Sequence, residues 1–102
     1  MPAYDDISKY PETRRDLALV ADKDIASAEV LSTIRTAAGP LLTKLDLFDV
    51  YEGTGLAEGR KSLAIGLTFQ DQSRTLDESE VSSAIHQVLD SLREKLGIQL
   101  RS

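Results

Sequence analysis

Residues 61–69, KSLAIGLTF, decide the fold. Leu63, Ile65, Leu67 and Phe69 fall on one side of an extended chain, while Ser62, Ala64, Gly66 and Thr68 fall on the other, the period-2 alternation of a strand buried on one face. Working outward, two more stretches carry the same period. Residues 14–22, RRDLALVAD, set Leu17, Leu19 and Ala21 against Asp16, Ala18 and Val20, bounded by Pro11 and by a charged turn at Asp22 to Asp24. Residues 42–52, LTKLDLFDVYE, read as a strand with Phe48 and Val50 on one face and Leu47, Asp49 and Tyr51 on the other. The stretch GTGLAEG joins this strand to residues 61–69 as a hairpin loop whose glycines supply positive φ.

Between the strands the period changes to that of a helix. From about Ser27, a good cap residue, Val30, Leu31, Ile34 and Ala38 recur at helical spacing until Gly39-Pro40 stops them. Asp77 followed by Glu80 forms a capping-box pattern, and Val81, Ala84, Ile85, Val88, Leu89, Leu92 and Leu96 then make an apolar stripe ending at Gly97. This second helix is expected from about Glu78 to Leu96. Ile98 and Leu100 close the sheet as a short fourth strand.

The order βαββαβ, built with right-handed crossovers, predicts an α+β ferredoxin-like sandwich: a four-stranded antiparallel sheet in the order 4-1-3-2 with two helices on one face. The other face is left open. Alternation assigns to it Asp16, Ala18 and Val20, then Asp49 and Tyr51, then Ser62, Ala64, Gly66 and Thr68.

Composition sets the limits. The 102 residues, 41% hydrophobic and 28% charged, suit one small globular domain. With no cysteine, disulfides, thiolate metal sites and cysteine nucleophiles are excluded. The sequence has no apolar run near the roughly 20 residues of a membrane-spanning helix, and MPAYDDISKY lacks the apolar stretch of a secretion signal, so the expectation is a soluble cytoplasmic protein with no membrane partner. Twelve basic against 17 acidic side chains give a net charge of -5, which argues against a wide electrostatic grip on nucleic acid. Any such partner must be held locally.

Several motifs carry less than they suggest. GTGLAEGRKS resembles a phosphate loop, but Arg60 interrupts the Gly-Lys step and the loop joins two strands, so no ATP site is expected. His86 is the single histidine, so no histidine dyad or two-histidine metal site can form, and it reads as a surface residue. The carboxylates have no calcium-loop spacing and read as solvated surface and helix caps.

Tyr51 is the informative residue. Its ring on the open face either shields Ala64 and Gly66 from water or serves as a stacking platform for a base. Ala18, Tyr51 and Ser62 come from neighbouring strands and are expected to form one row across the sheet, where Ser62 offers a donor and an acceptor. Arg14 and Arg15, Arg60 and Lys61, and Arg74 flank that row, and Arg15, Lys61 and Arg74 are the expected phosphate contacts.

The segments KYPETRRDLALVAD, LFDVYEGTGLAEGRKSLAIGLTF and RTLDESEV resemble, over about residues 5–101, the C-terminal ferredoxin-fold anticodon-binding domain of the bacterial phenylalanyl-tRNA synthetase beta subunit. The YP-x2-RRDLA opening, LFDVY-x-G, G-x-KSLA and RTL occur in order at the family spacing. What the resemblance implies is a module that reaches the anticodon stem-loop of tRNA(Phe), with the family's stacking tyrosine, neighbouring alanine and serine falling on Tyr51, Ala18 and Ser62. It implies no catalytic residues, metal or cofactor in this domain. ATP and magnesium belong to the parent aminoacyl-tRNA synthetase, which performs aminoacylation elsewhere, and the alpha subunit is reached through the rest of the beta subunit. The chain therefore looks like an excised non-catalytic module, in which Met1 is not necessarily native. Two alternatives compete. A small-molecule regulatory module predicts a pocket between paired domains, and a dimerisation domain predicts a buried open face.

Overall fold

The computed structural model describes residues 10–53, 56, 58–71 and 73–101. The elements run β1 (Thr13–Asp22), α1 (Ser27–Ala38), β2 (Leu42–Tyr51), β3 (Arg60–Phe69), α2 (Glu78–Leu96) and β4 (Gln99–Leu100). All pairings are antiparallel and the strand order is β2-β3-β1-β4, the expected 4-1-3-2 read from the other edge. This is the ferredoxin-like βαββαβ sandwich.

Alternation in β3 sorts the molecule into layers. Leu63, Ile65, Leu67 and Phe69 are fully buried with Leu19 and Ala21 of β1, against Val30 and Ile34 of α1 and Val81, Val88 and Leu92 of α2. Each large side chain so buried contributes about 1.5–3 kcal/mol relative to exposure. Ile98 also enters this core, so the chain after α2 is anchored before it forms β4. Gly97 makes that turn with φ 68, a left-handed geometry in which a side chain would be strained; its N–H donates to the Arg93 carbonyl and the Ile98 N–H to the Leu92 carbonyl, each at 3.1 Å.

The N-terminus of α2 carries the expected box: the Asp77 N–H donates to Glu80 Oε1 at 3.0 Å. At α1 the cap position differs from expectation. Ala26 is the cap residue and Ser27 is already helical, because the Ala26 carbonyl accepts the N–H groups of Glu29 and Val30, at 3.0 and 3.2 Å. Backbone alone closes that turn.

One strand departs from simple alternation. In β2, Leu47 registers with Ile65 but Asp49 registers with Ala64, so a bulge at Phe48 absorbs one residue. Leu47 consequently packs on the core, and Phe48 emerges on the open face, 55% exposed. The expected assignment of Leu47 to the open face and Phe48 to the helix side is thus reversed. Beyond the bulge the alternation resumes, with Val50 opposite Leu63 and Tyr51 opposite Ser62. Gly53 and Gly59 of the hairpin loop adopt φ of 135° and 82°, as expected, while Thr54, Gly55 and Ala57 lie outside the described residues.

Candidate nucleic-acid interface

The open face is built on β3 because its polar-side residues are small. Register places Tyr51, Ser62 and Val20 in one line across β2, β3 and β1. Ala18 is not in that line: it pairs with Ala64, one pleat along, so the expected row of Ala18, Tyr51 and Ser62 is a diagonal. Tyr51 is 40% exposed and Ser62 only 6%. The result is a ring at the β2 edge beside a recessed hydroxyl and small side chains, a floor on which a planar group can lie.

The residue that completes this floor is Arg101. Register puts β4 beside β1, and the Arg101 N–H donates to the Ala18 carbonyl at 2.6 Å, which continues the pairing one residue past the strand. Its side chain then crosses β1: Nη1 donates to the Ser62 Oγ at 3.2 Å, and the guanidinium carbon lies 6.0 Å from the Tyr51 ring centroid, within cation–π reach. The strand expected from the sequence ends at Leu100 and leaves Arg101 out of the site. The signal was available, since alternation through GIQLR puts Gln99 and Arg101 on one face.

The expected phosphate contacts do not gather here. β1 and β3 are antiparallel, so Arg14 and Arg15 at the start of β1 lie opposite Thr68 and Leu67 near the end of β3, and only Arg60 and Lys61 are near Tyr51. Lys61 is 7% exposed, and its ammonium donates to the Ile25 carbonyl at 2.6 Å. It faces the helices and acts as a structural cation. Arg60 is opposite Asp22 and pairs with it at 3.3 Å. Arg15 points to the helix side, with Nη1 3.5 Å from the Arg14 carbonyl.

Arg74 lies past the far end of β3, after the roughly 23 Å of strand from Ser62 to Phe69. Both terminal nitrogens of its guanidinium donate to Glu80, Nη1 to Oε1 and Nη2 to Oε2, each at 2.6 Å, and Nε lies 3.6 Å from Asp71. That fork, with the Asp77 N–H, holds the Glu80 carboxyl at about 2, well below the ordinary carboxylate value. Asp71 is also lowered, first by the Ser73 N–H. This network ties the loop after β3 to the start of α2. His86 is exposed on α2.

Among the described residues no group of three or more His, Cys, Asp or Glu side chains gathers as metal ligands, and no helix is long and apolar enough to cross a membrane.

Comparison with known proteins agrees with this architecture. The family model described as the ferredoxin-fold anticodon binding domain matches residues 8–101. The chain is 52% identical over 101 residues to the phenylalanine–tRNA ligase beta subunit of Pseudomonas putida, covering 99% of this chain and 13% of that protein. The Pseudomonas fluorescens subunit gives the same figures, and that of Pasteurella multocida is 45% identical over 96 residues, 94% of this chain and 12% of its own length. The chain thus spans about an eighth of the relatives it matches, and over that span it belongs to the ferredoxin-fold anticodon-binding domain family.

Proposed function

We propose that the open sheet face binds the anticodon stem-loop of tRNA(Phe), as the C-terminal module of a phenylalanine–tRNA ligase beta subunit. The observation that carries this reading is the convergence of Tyr51, Ser62, Ala18 and Arg101 on one patch. Tyr51 supplies a ring face for one anticodon base, the Ser62 hydroxyl and adjacent backbone read its edge, Ala18 leaves room for it, and Arg101 brings a planar cation to the same place. Local rather than widespread positive charge suits a chain of net charge -5, because recognition then depends on stacking and hydrogen bonds rather than on a broad basic surface.

Aminoacylation with ATP and magnesium is assigned to the rest of the beta subunit and its alpha partner, in the cytoplasm. No step of it is routed through these residues, whose glycine loop lacks phosphate-loop spacing. The dimerisation alternative is disfavoured by the charges on the face: Arg14, Asp16, Asp49 and Arg101 stand where a self-buried interface is depleted of charge.

The test is filter binding of the intact synthetase to phenylalanine tRNA and to the same tRNA with a changed anticodon. The reading expects discrimination between them that is lost when this domain is deleted. Equal binding of both tRNAs contradicts it.

A further inference from the structure

We propose that Phe48, with Arg14 beside it, is a second stacking platform that takes the nucleotide adjoining the one on Tyr51 in the same RNA strand. The inference rests on the RNA-binding reading above and extends it to a second base.

The β2 bulge is the first observation. It turns the Phe48 ring away from the core and onto the open face, where at 55% it is the most exposed large hydrophobic side chain among the described residues. The second is what lies next to it. The Arg14 guanidinium carbon is 5.7 Å from the ring centroid, its Nε donates to Asp16 Oδ1 at 2.9 Å, and the charge of Asp46 also acts on it. The third is Gly66. A Cβ at that position would run into the Arg14 guanidinium, so the absent side chain is what lets the cation lie across β3 toward Phe48. An exposed ring, a planar cation and bare backbone form a second flat row on the same face.

Its spacing from Tyr51 fits a neighbouring base. Tyr51 registers with Ser62, and Phe48 falls between the pairs Asp49–Ala64 and Leu47–Ile65. The two rings are therefore offset by two to three residues of β3, about 7–10 Å along the sheet. Four-stranded sheets that bind single-stranded RNA stack successive bases on aromatics in this way. Asp16 and Asp46 argue for a base rather than a phosphate in this row, because carboxylates repel phosphate and accept hydrogen bonds from base amino groups.

The experiment uses the intact synthetase with Phe48→Leu, which keeps apolar bulk at an exposed position but removes the ring, and Tyr51→Ala alongside. Binding is measured to tRNA(Phe) and to versions with one abasic nucleotide at each anticodon-loop position in turn. The proposal expects Phe48→Leu to weaken binding of the intact tRNA about five- to a hundredfold. That loss should vanish on the tRNA that is abasic next to the position sensitive to Tyr51. If Tyr51→Ala weakens binding while Phe48→Leu stays within about twofold of the parent, the second platform is overturned and the first stands. If both variants bind normally, the RNA reading falls and takes this proposal with it. A Phe48→Leu loss of the same size on every abasic tRNA assigns Phe48 to packing against another protein segment, and also overturns the proposal.

Discussion

Arg101 and Ser62 are joined across an intervening strand: the guanidinium leaves the end of β4, passes over β1 and donates to the hydroxyl on β3 at 3.2 Å. The bond links the sheet's short edge strand to its centre, and it places a cation beside the Tyr51 ring. On the proposed reading, a base stacked on Tyr51 would meet Arg101 and Ser62 together.

Arg101→Ala in the intact synthetase is therefore expected to weaken tRNA binding about tenfold, the size of one hydrogen bond to a charged group. The salt dependence should fall by about one unit of slope if a phosphate is contacted at the same time. Arg101→Lys keeps the charge but loses the plane, so its affinity should lie between the two. Binding isotherms across a salt series measure both quantities. An unchanged affinity for Arg101→Ala would remove Arg101 from the interface.

Lys61 should behave in the opposite way. Its ammonium donates to the Ile25 carbonyl from a buried position, so Lys61→Ala leaves that acceptor without its donor and should cost about 1–3 kcal/mol of stability. For a domain of this size that lowers Tm by roughly 4–8 °C per kcal/mol. tRNA affinity measured well below Tm should match the parent. A stable Lys61→Ala protein with weakened RNA binding would restore Lys61 as a phosphate contact.

Glu80 gives a pH signature. Its carboxyl is depressed from 4.5 to about 2 in the folded chain by Arg74 and by the Asp77 N–H. A depressed folded value means the stabilisation is complete above the unfolded value and is lost as pH falls through the folded one. Thermal melts of the parent and Glu80→Gln should therefore differ most above pH 4.5 and converge as the pH approaches 2. A constant gap across that window would show that the Arg74–Glu80 fork does not govern the acid limb. Because the pair is solvent-exposed, high salt should shrink the gap.

The sequence made the sheet order and both helices legible because β3 alternates without interruption and α2 carries seven apolar residues in one stripe. Tyr51 and Ser62 were legible for the same reason. The sequence does not announce the bulge, since LFDVY reads as strict alternation and only pairing against β3 shows that one residue is looped out. Alternation alone therefore puts Phe48 on the helix side, opposite to where the bulge sends it. The basic residues misled in another way: Arg14, Arg15, Arg60 and Lys61 all begin strands, but antiparallel pairing sends two strand starts to opposite ends of the sheet. Lys61 further shows that a charged side chain near a site can be satisfied beneath it.

The claim that Tyr51 is a stacking surface is tested most directly by comparing Tyr51→Ala and Tyr51→Phe in the intact synthetase, measuring catalytic efficiency towards tRNA(Phe) with phenylalanine activation as the internal control. Stacking uses the ring face, so Tyr51→Phe should remain near the parent while Tyr51→Ala loses about five- to a hundredfold, the equivalent of roughly 1–3 kcal/mol, with activation unchanged. A folded Tyr51→Ala enzyme that charges tRNA as well as the parent would contradict the account and leave Tyr51 as a cover for the sheet.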